Sequence, residues 1–440
     1  RSSMKVVLLF IAITILGCKS DFNFNGIKLQ IEKRKLSNGI EVIFEPNKTF
    51  KSVSYQVWVR AGSSHEKMGR TGVANLLQKL MYTGSEKKYY EELAKTGVSF
   101  GWETTRDGSL YWNVLLPDYL QQTIEADGRR FKNFLFSDDE FKTQKQIAIE
   151  RRLLKIDQDP KLVMKEELLA LIYNNHPYAH VERGRVQDIF NLKKKDIISY
   201  YKRYYHPENI YIVVSGDIDP DKTFEWIKKS YGNWSTHKKA KKRRKKRLKR
   251  QKSEYRKAMS LNTQLEQVFI AYPTVDIRDK DVHAVDILSD LMFRSKGSLV
   301  NKNLLNENII VDYYGFSYTP IQRGYLIFYA KGALGVSTEE IEKAYYDILH
   351  SVQLNGISEK TLNIIKNELI FNYIDNFTTS HKTAKFLGVV NLLLGDLHEV
   401  ESDFKAYLEV TPEDIKKVAN KYFNPNRRSV VVLKNTGENK

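Results

Sequence analysis

The chain has 440 residues, of which 42% are hydrophobic and 28% charged, and a formal net charge of +18. That composition excludes a disordered or fibrous polypeptide and is long enough for two or three domains with their own cores. The charge does not describe a basic surface: Lys238 to Lys252 (KKAKKRRKKRLKRQK) holds 12 Lys/Arg and no acid, leaving +6 for everything else.

In chain order, the first feature is a targeting signature. Residues 1–3 before Met4 read as a cloning remnant, Lys5 as a short positive region, and Val6 to Leu16 as an apolar stretch broken only by Thr14. Eleven positions are too few for a comfortable membrane span. The stretch ends in Ile-Leu-Gly-Cys, and Cys18 is the only cysteine. A lone cysteine after small Gly17 resembles a bacterial lipobox, which predicts a lipidated Cys18, a tether over 19–26 and a membrane-anchored protein of the cell envelope, on the periplasmic face or the outer membrane. With no second cysteine, stability must come from packing rather than internal disulfides.

Ile40 to Phe44 and Val53 to Arg60 alternate as strands, predicted to pair as a hairpin across Pro46-Asn47. GVANLLQKLMYTG, Gly72 to Gly84, reads as a helix. Val73, Leu76, Leu77, Leu80 and Met81 fall on one buried face. Asn75, Gln78 and Lys79 make a second, narrow polar face, at the spacing by which a helix brings two metal ligands and a base to one point. A strand follows near Ser109 to Leu116. Helices are predicted over Asp138 to Ile156 and Leu162 to Tyr173, separated by Asp157-Gln158-Asp159-Pro160.

The chain then repeats itself. LKKKDIISYYKRYYHPENIYIVVSGD from Leu192 parallels VTPEDIKKVANKYFNPNRRSVVVLKN from Val410. Asp196 and Asp414, Tyr204 and Tyr422, Pro207 and Pro425, Val213 and Val431 all match at an offset of 218. Each copy reads as an N-capped helix, a proline turn and a hydrophobic strand. Two similar domains follow, over 27–236 and 259–438, joined by a basic linker over 237–258 that cannot pack. The second half offers strands at Gln267 to Tyr272 and Tyr325 to Ala330. Its helices cover Asp281 to Phe293, Thr338 to Val352, Glu359 to Phe377 and Lys382 to Leu394. The fold class is α+β, with helices covering two mostly antiparallel sheets related by internal duplication.

From about Ile27 to Leu433 the chain resembles the M16 metallopeptidases, the insulinase and pitrilysin relatives, in their half-size two-domain form. The segment from Trp58 to Lys88 carries the resemblance, with Gly72, Ala74, Leu77, Met81 and Gly84 in the expected places. Tyr205 to Asn209, Gly216-Asp217 and Gly395-Asp396-Leu397 add to it. The resemblance implies a zinc helix bearing His-x-x-Glu-His, in which two imidazoles bind the metal and the glutamate activates its water. Here those positions are Asn75, Gln78 and Lys79. The third family ligand matches Glu150, with one residue of slack before Pro160, and an ammonium at Lys79 is predicted to pair with it. Amides and an ammonium are poor zinc donors, so zinc is expected to be absent. The family's substrate-binding edge strand matches Gly101-Trp102, and its substrate-gripping Arg and Tyr match Asn306 and Tyr313.

Three readings follow. The first is a catalytically inactive M16 lipoprotein pairing with an active M16 zinc peptidase, or with itself, around a peptide-binding chamber. The second is a stand-alone peptide-binding or scaffold protein of the envelope. The third is a peptidase using another site, with His65, His176, His180 and His206 as candidates, although their settings before turns suit structural roles. The basic run lacks interleaved aromatics, which argues against nucleic acid. It is read as a linker, with an anionic surface as the alternative partner.

Overall fold

The computed structural model describes residues 18–24, 27–84, 86–235, 251–261, 263–295 and 297–435. Its first sheet has seven strands: β1 (Cys18–Phe24), β2 (Ile27–Lys35), β3 (Glu41–Pro46), β4 (Val53–Val59), β5 (Ser99–Thr104), β6 (Ser109–Leu115) and β7 (Ile210–Gly216). They run in the order β1-β2-β3-β7-β4-β6-β5. The second sheet has β8 (Tyr255–Leu261), β9 (Gln267–Pro273), β10 (Ile310–Tyr318), β11 (Tyr325–Gly332) and β12 (Ser429–Asn435), in the order β10-β11-β9-β12-β8. The run β3-β7-β4-β6-β5 in one sheet and β8-β12-β9-β11-β10 in the other are the same topology. Each has one parallel pair, β3 with β7 and β8 with β12, among antiparallel neighbours. The duplication seen at the offset of 218 is thus a duplication of architecture.

The helices of the first half are α1 (Val73–Thr83), α2 (Lys87–Lys95), α3 (Leu120–Lys132), α4 (Asp138–Arg151), α5 (Pro160–Tyr173), α6 (Val186–Asn191), α7 (Lys194–Tyr204) and α8 (Pro220–Tyr231). The second half has α9 (Val282–Ser289), α10 (Thr338–Asn355), α11 (Glu359–Asp375), α12 (Ser380–Leu393), α13 (Glu399–Glu409) and α14 (Pro412–Tyr422). Their caps are written in the sequence. Ser137 and Ser337 each accept from the backbone of a glutamate three residues on, whose carboxylate returns the bond, closing capping boxes at α4 and α10.

Four expectations are corrected. β3 and β4 do not form a hairpin, because the fully buried β7 lies between them. A fully buried strand opening with the apolar run Ile210 to Val214 is the better centre of a sheet. The predicted tether contains a strand: β1 pairs antiparallel with β2, and residues 1–17 lie outside the described residues. The end of the expected linker is also a strand, since β8 starts at Tyr255 and pairs with β12, while 236–250 lie outside the described residues. Finally, the helix expected over Asp138 to Ile156 ends as α at Arg151 and continues as a π-helical turn over Arg152–Ile156. A π turn accommodates one extra residue relative to an α-helix.

Each sheet packs its own helices on one face and a helix of the other half on its opposite face. Phe377, Ala384, Leu387, Leu397 and Phe404 from the second half pack against Ile43, Trp58, Leu110 and Tyr211 of the first sheet. Reciprocally, Met164, Leu168, Leu169 and Tyr173 of α5 pack against Phe269, Ala271, Tyr325 and Val431 of the second sheet. α5 and α12 hold equivalent places in the repeat, so the exchange is symmetric. Gly388 makes the contact at α12 close. A Cβ there would lie 2.3 Å from the Trp58 ring, and Tyr211 donates to the Gly388 carbonyl at 2.7 Å.

Candidate functional site

The start of α1 is held by a carboxylate from the segment just before it. Glu66 is 2% exposed and accepts from the backbone N–H of Gly72 and of Ala74, both at 2.8 Å. A buried carboxyl there satisfies two of the helix's free donors, while burial raises its pKa above the ordinary value. His180 closes the arrangement, with Nε2 3.0 Å from Glu66. Gly72 has φ of 91°, and a Cβ would meet the Arg183 carbonyl at 2.9 Å, so only glycine fits there. The predicted apolar face of α1 is buried throughout.

The polar face of α1 does not converge on a point. Gln78 is fully buried and spent on the backbone: its Nε2 donates to the carbonyls of Glu103 at 3.2 Å and Leu110 at 3.1 Å, and its Oε1 accepts from the Thr104 hydroxyl. It ties α1 to β5 and β6. Asn75 donates to Thr104 Oγ1 at 3.3 Å. Lys79 is 7% exposed and lines a cleft of about 670 Å³ with Asn75, Gly101, Trp102, Arg151 and Arg183. Burial, with Arg151 and Arg183 nearby, pulls its ammonium down to about 8.

Glu150 does not meet Lys79. It lies exposed on α4 and accepts from Gln146 at 2.9 Å, while the next residue, Arg151, turns into the cleft. One residue on a helix is a rotation of about 100°, so the predicted pair is replaced by a like-charge neighbour. The donors present do not fit a zinc ion. Of the two imidazole positions, Asn75 is an amide bonded to Thr104 and Lys79 is an ammonium; the base position, Gln78, is consumed by three hydrogen bonds, and the Glu150 carboxylate points outward. Among the described residues, no group of three or more His, Cys, Asp or Glu could hold a metal.

Gly101 and Trp102 sit on β5, one of the two edge strands of the first sheet, and line the cleft. Trp102 does not project freely into it, because its indole stacks on Tyr82 with ring centroids 4.9 Å apart. Gly101 is required by Trp112, whose ring would lie 2.8 Å from a Cβ.

Asn306 and Tyr313 do not join this cleft. Asn306 is exposed at the turn before β10, and Tyr313 packs against the core beneath the second domain's own helices, bonded to Ser298 at 3.1 Å. The alternation of a strand explains this. Tyr314, Phe316 and Tyr318 take the face toward α5, and Lys161 sits 4.6 Å from the Tyr314 ring.

The four histidines are occupied structurally. His65 Nδ1 accepts from the Gly62 N–H at 3.2 Å, and His176 accepts from Tyr178 N at 3.1 Å while its Nε2 meets Gln322 at 2.8 Å. His180 serves Glu66, and His206 is buried before the Pro207–Asn209 turn. The sequence reading missed Glu66, Arg151 and Arg183. Only the helix start after a buried acid offered a signal for the first.

Residues 41–182 match the family described as "Insulinase (Peptidase family M16)", and residues 191–369 match "Peptidase M16 inactive domain". A relative, "Zinc protease PqqE" of Helicobacter pylori, is 25% identical over 413 residues, covering 92% of each chain. A solved structure of a protease from Helicobacter pylori superposes with a TM-score of 0.88 at 24% identity, over 92% of this chain and 99% of that one. A structure described as the peptidase M16 inactive domain from Pseudomonas fluorescens superposes at 0.82 with 18% identity, over 92% and 97%.

Proposed function

Since the chain belongs to the M16 metallopeptidase family in its half-size, two-domain form, we propose that it is a non-catalytic member that binds peptides and serves as the partner of an active M16 zinc peptidase. One observation carries this reading. The helix that would hold zinc spends Gln78 on backbone carbonyls and presents Lys79, a cation, to the cleft. Hydrolysis by the family's route needs a metal-bound water, and nothing on α1 is suited to hold that metal. What remains is a wall with an open edge strand, β5, able to pair with an extended peptide. The reading includes anchoring at the cell envelope through a lipid on Cys18, motivated by the apolar stretch Val6 to Leu16 and the lone cysteine that follows it in the sequence.

The test starts with the full chain purified in the presence of zinc. Expected are substoichiometric zinc by elemental analysis and no chelator-sensitive peptide cleavage. Tagged chain recovered from envelope extracts is expected to bring with it an M16 chain with intact His-x-x-Glu-His. Stoichiometric zinc with chelator-sensitive cleavage by the chain alone ends the non-catalytic reading. A chain that only self-associates and still binds peptides favours the stand-alone clasp.

A further inference from the structure

Where the family's metal would sit, the cleft carries positive charge without compensation. Lys79 is more than nine-tenths buried, yet no hydrogen bond or ion pair holds its ammonium among the described residues. Arg151 at the end of α4 and Arg183 beside the start of α1 flank it, both exposed and both without a carboxylate partner among the described residues. The carboxylates lining the same cleft are already engaged. Glu103 pairs with Lys385 at 2.6 Å, Glu166 with Arg152 through a bond of 2.9 Å, and Glu182 with Arg106 at 3.5 Å. An ammonium on a largely buried stem, opening on the cleft beside two guanidinium groups and with no anion bonded to it, is a partly desolvated charge that an incoming anion would stabilise.

We propose that this is a carboxylate-binding site, and that an extended peptide lying along β5 places a Glu or Asp side chain against Lys79, Arg151 and Arg183. The proposal deepens the peptide-binding reading above and rests on it for the ligand's backbone. A peptide carbonyl would leave the charges unmatched, whereas a carboxylate can accept from Lys79 and from a guanidinium fork at once. The substitution of the metal site therefore replaces a cleaving centre with a specificity pocket for acidic sequences.

The experiment measures fluorescence anisotropy of the full chain with two labelled, extended peptides that differ only in a central Glu or Gln. The expected result is about tenfold tighter binding of the Glu peptide, the scale of one charge-assisted contact. Lys79→Met is expected to remove the preference while leaving Gln-peptide binding in place. Lys79→Arg keeps the charge and is expected to retain the preference, which separates loss of charge from loss of fold. Equal binding of the two peptides overturns the carboxylate site and leaves the peptide reading intact. If neither peptide binds, glutarate raising the melting temperature of wild type but not of Lys79→Met upholds the site and removes the peptide. Stabilisation by inorganic phosphate and not by glutarate overturns the carboxylate assignment.

Discussion

Lys79 carries a charge where burial opposes one, with Arg151 and Arg183 adding to the opposition. Replacing it by Met keeps the aliphatic stem and removes the charge, so Lys79→Met is expected to raise the unligated protein's stability by about 1–2 kcal/mol, read as a higher denaturant midpoint. A functional charge that lowers stability is the usual sign of a binding position. Glu45 behaves differently. It is 1% exposed on β3, accepts from Ser215 at 2.6 Å and from Asn47 at 3.3 Å, and burial raises its carboxyl to about 7. Its folded value lies above the ordinary 4.5, so between those pH values the folded state holds a proton that the unfolded state has released. Stability from this group is therefore fully present below about 4.5 and lost as pH rises through about 7. Glu45→Gln should remove that slope, and its advantage over wild type should grow across the interval to at most about 3 kcal/mol. Equal slopes in urea titrations of the two proteins would rule this out. At this scale the sequence disclosed which three side chains sit on the polar face of α1. It did not disclose that Gln78 faces two carbonyls while Lys79 faces space, because that depends on where β5 and β6 pass.

The helix α1 is aimed by Glu66 at its start and by Gln78 along its side, so the site's geometry belongs to the element more than to any one residue. Rebuilding His-x-x-Glu-His by Asn75→His, Gln78→Glu and Lys79→His is expected not to create a zinc enzyme. Glu150 still points outward and Arg151 still faces the cleft. Elemental analysis should find stoichiometric zinc only when Arg151→Glu is added, and zinc in the triple variant alone would show that α4 can turn. The helices were legible because their caps and apolar periods are local: Ser137 with Glu140 and Ser337 with Glu340 announce α4 and α10 within four residues. The strand neighbours were not. β7 enters between β3 and β4 from more than 150 residues away, and nothing in Ile40 to Arg60 forecasts it. The Tyr313 assignment failed for a similar reason. One residue of register moves a side chain across the sheet, and Tyr313-Tyr314 offers the same ring to both faces.

Across the whole molecule, α5 and α12 cross between the halves, and Gly388 permits the approach at one of the two crossings. Gly388→Ala drives a methyl into the Trp58 ring and is expected to cost about 1–3 kcal/mol in thermal unfolding. Trypsin should cut first in Lys238 to Lys252, where 12 of 15 residues are cleavage sites. The nicked protein is expected to elute and melt as one species, because apolar contacts and the pairs Lys161–Asp312 and Lys385–Glu103 span the halves. Separation of the fragments on a sizing column would refute this. The crossed helices also bear on how such a chain can be made. Either fragment expressed by itself would bare the apolar back of a sheet and head for inclusion bodies. The same fragments produced from two adjacent reading frames should complement each other, so a gene broken at the basic run would still deliver a usable product.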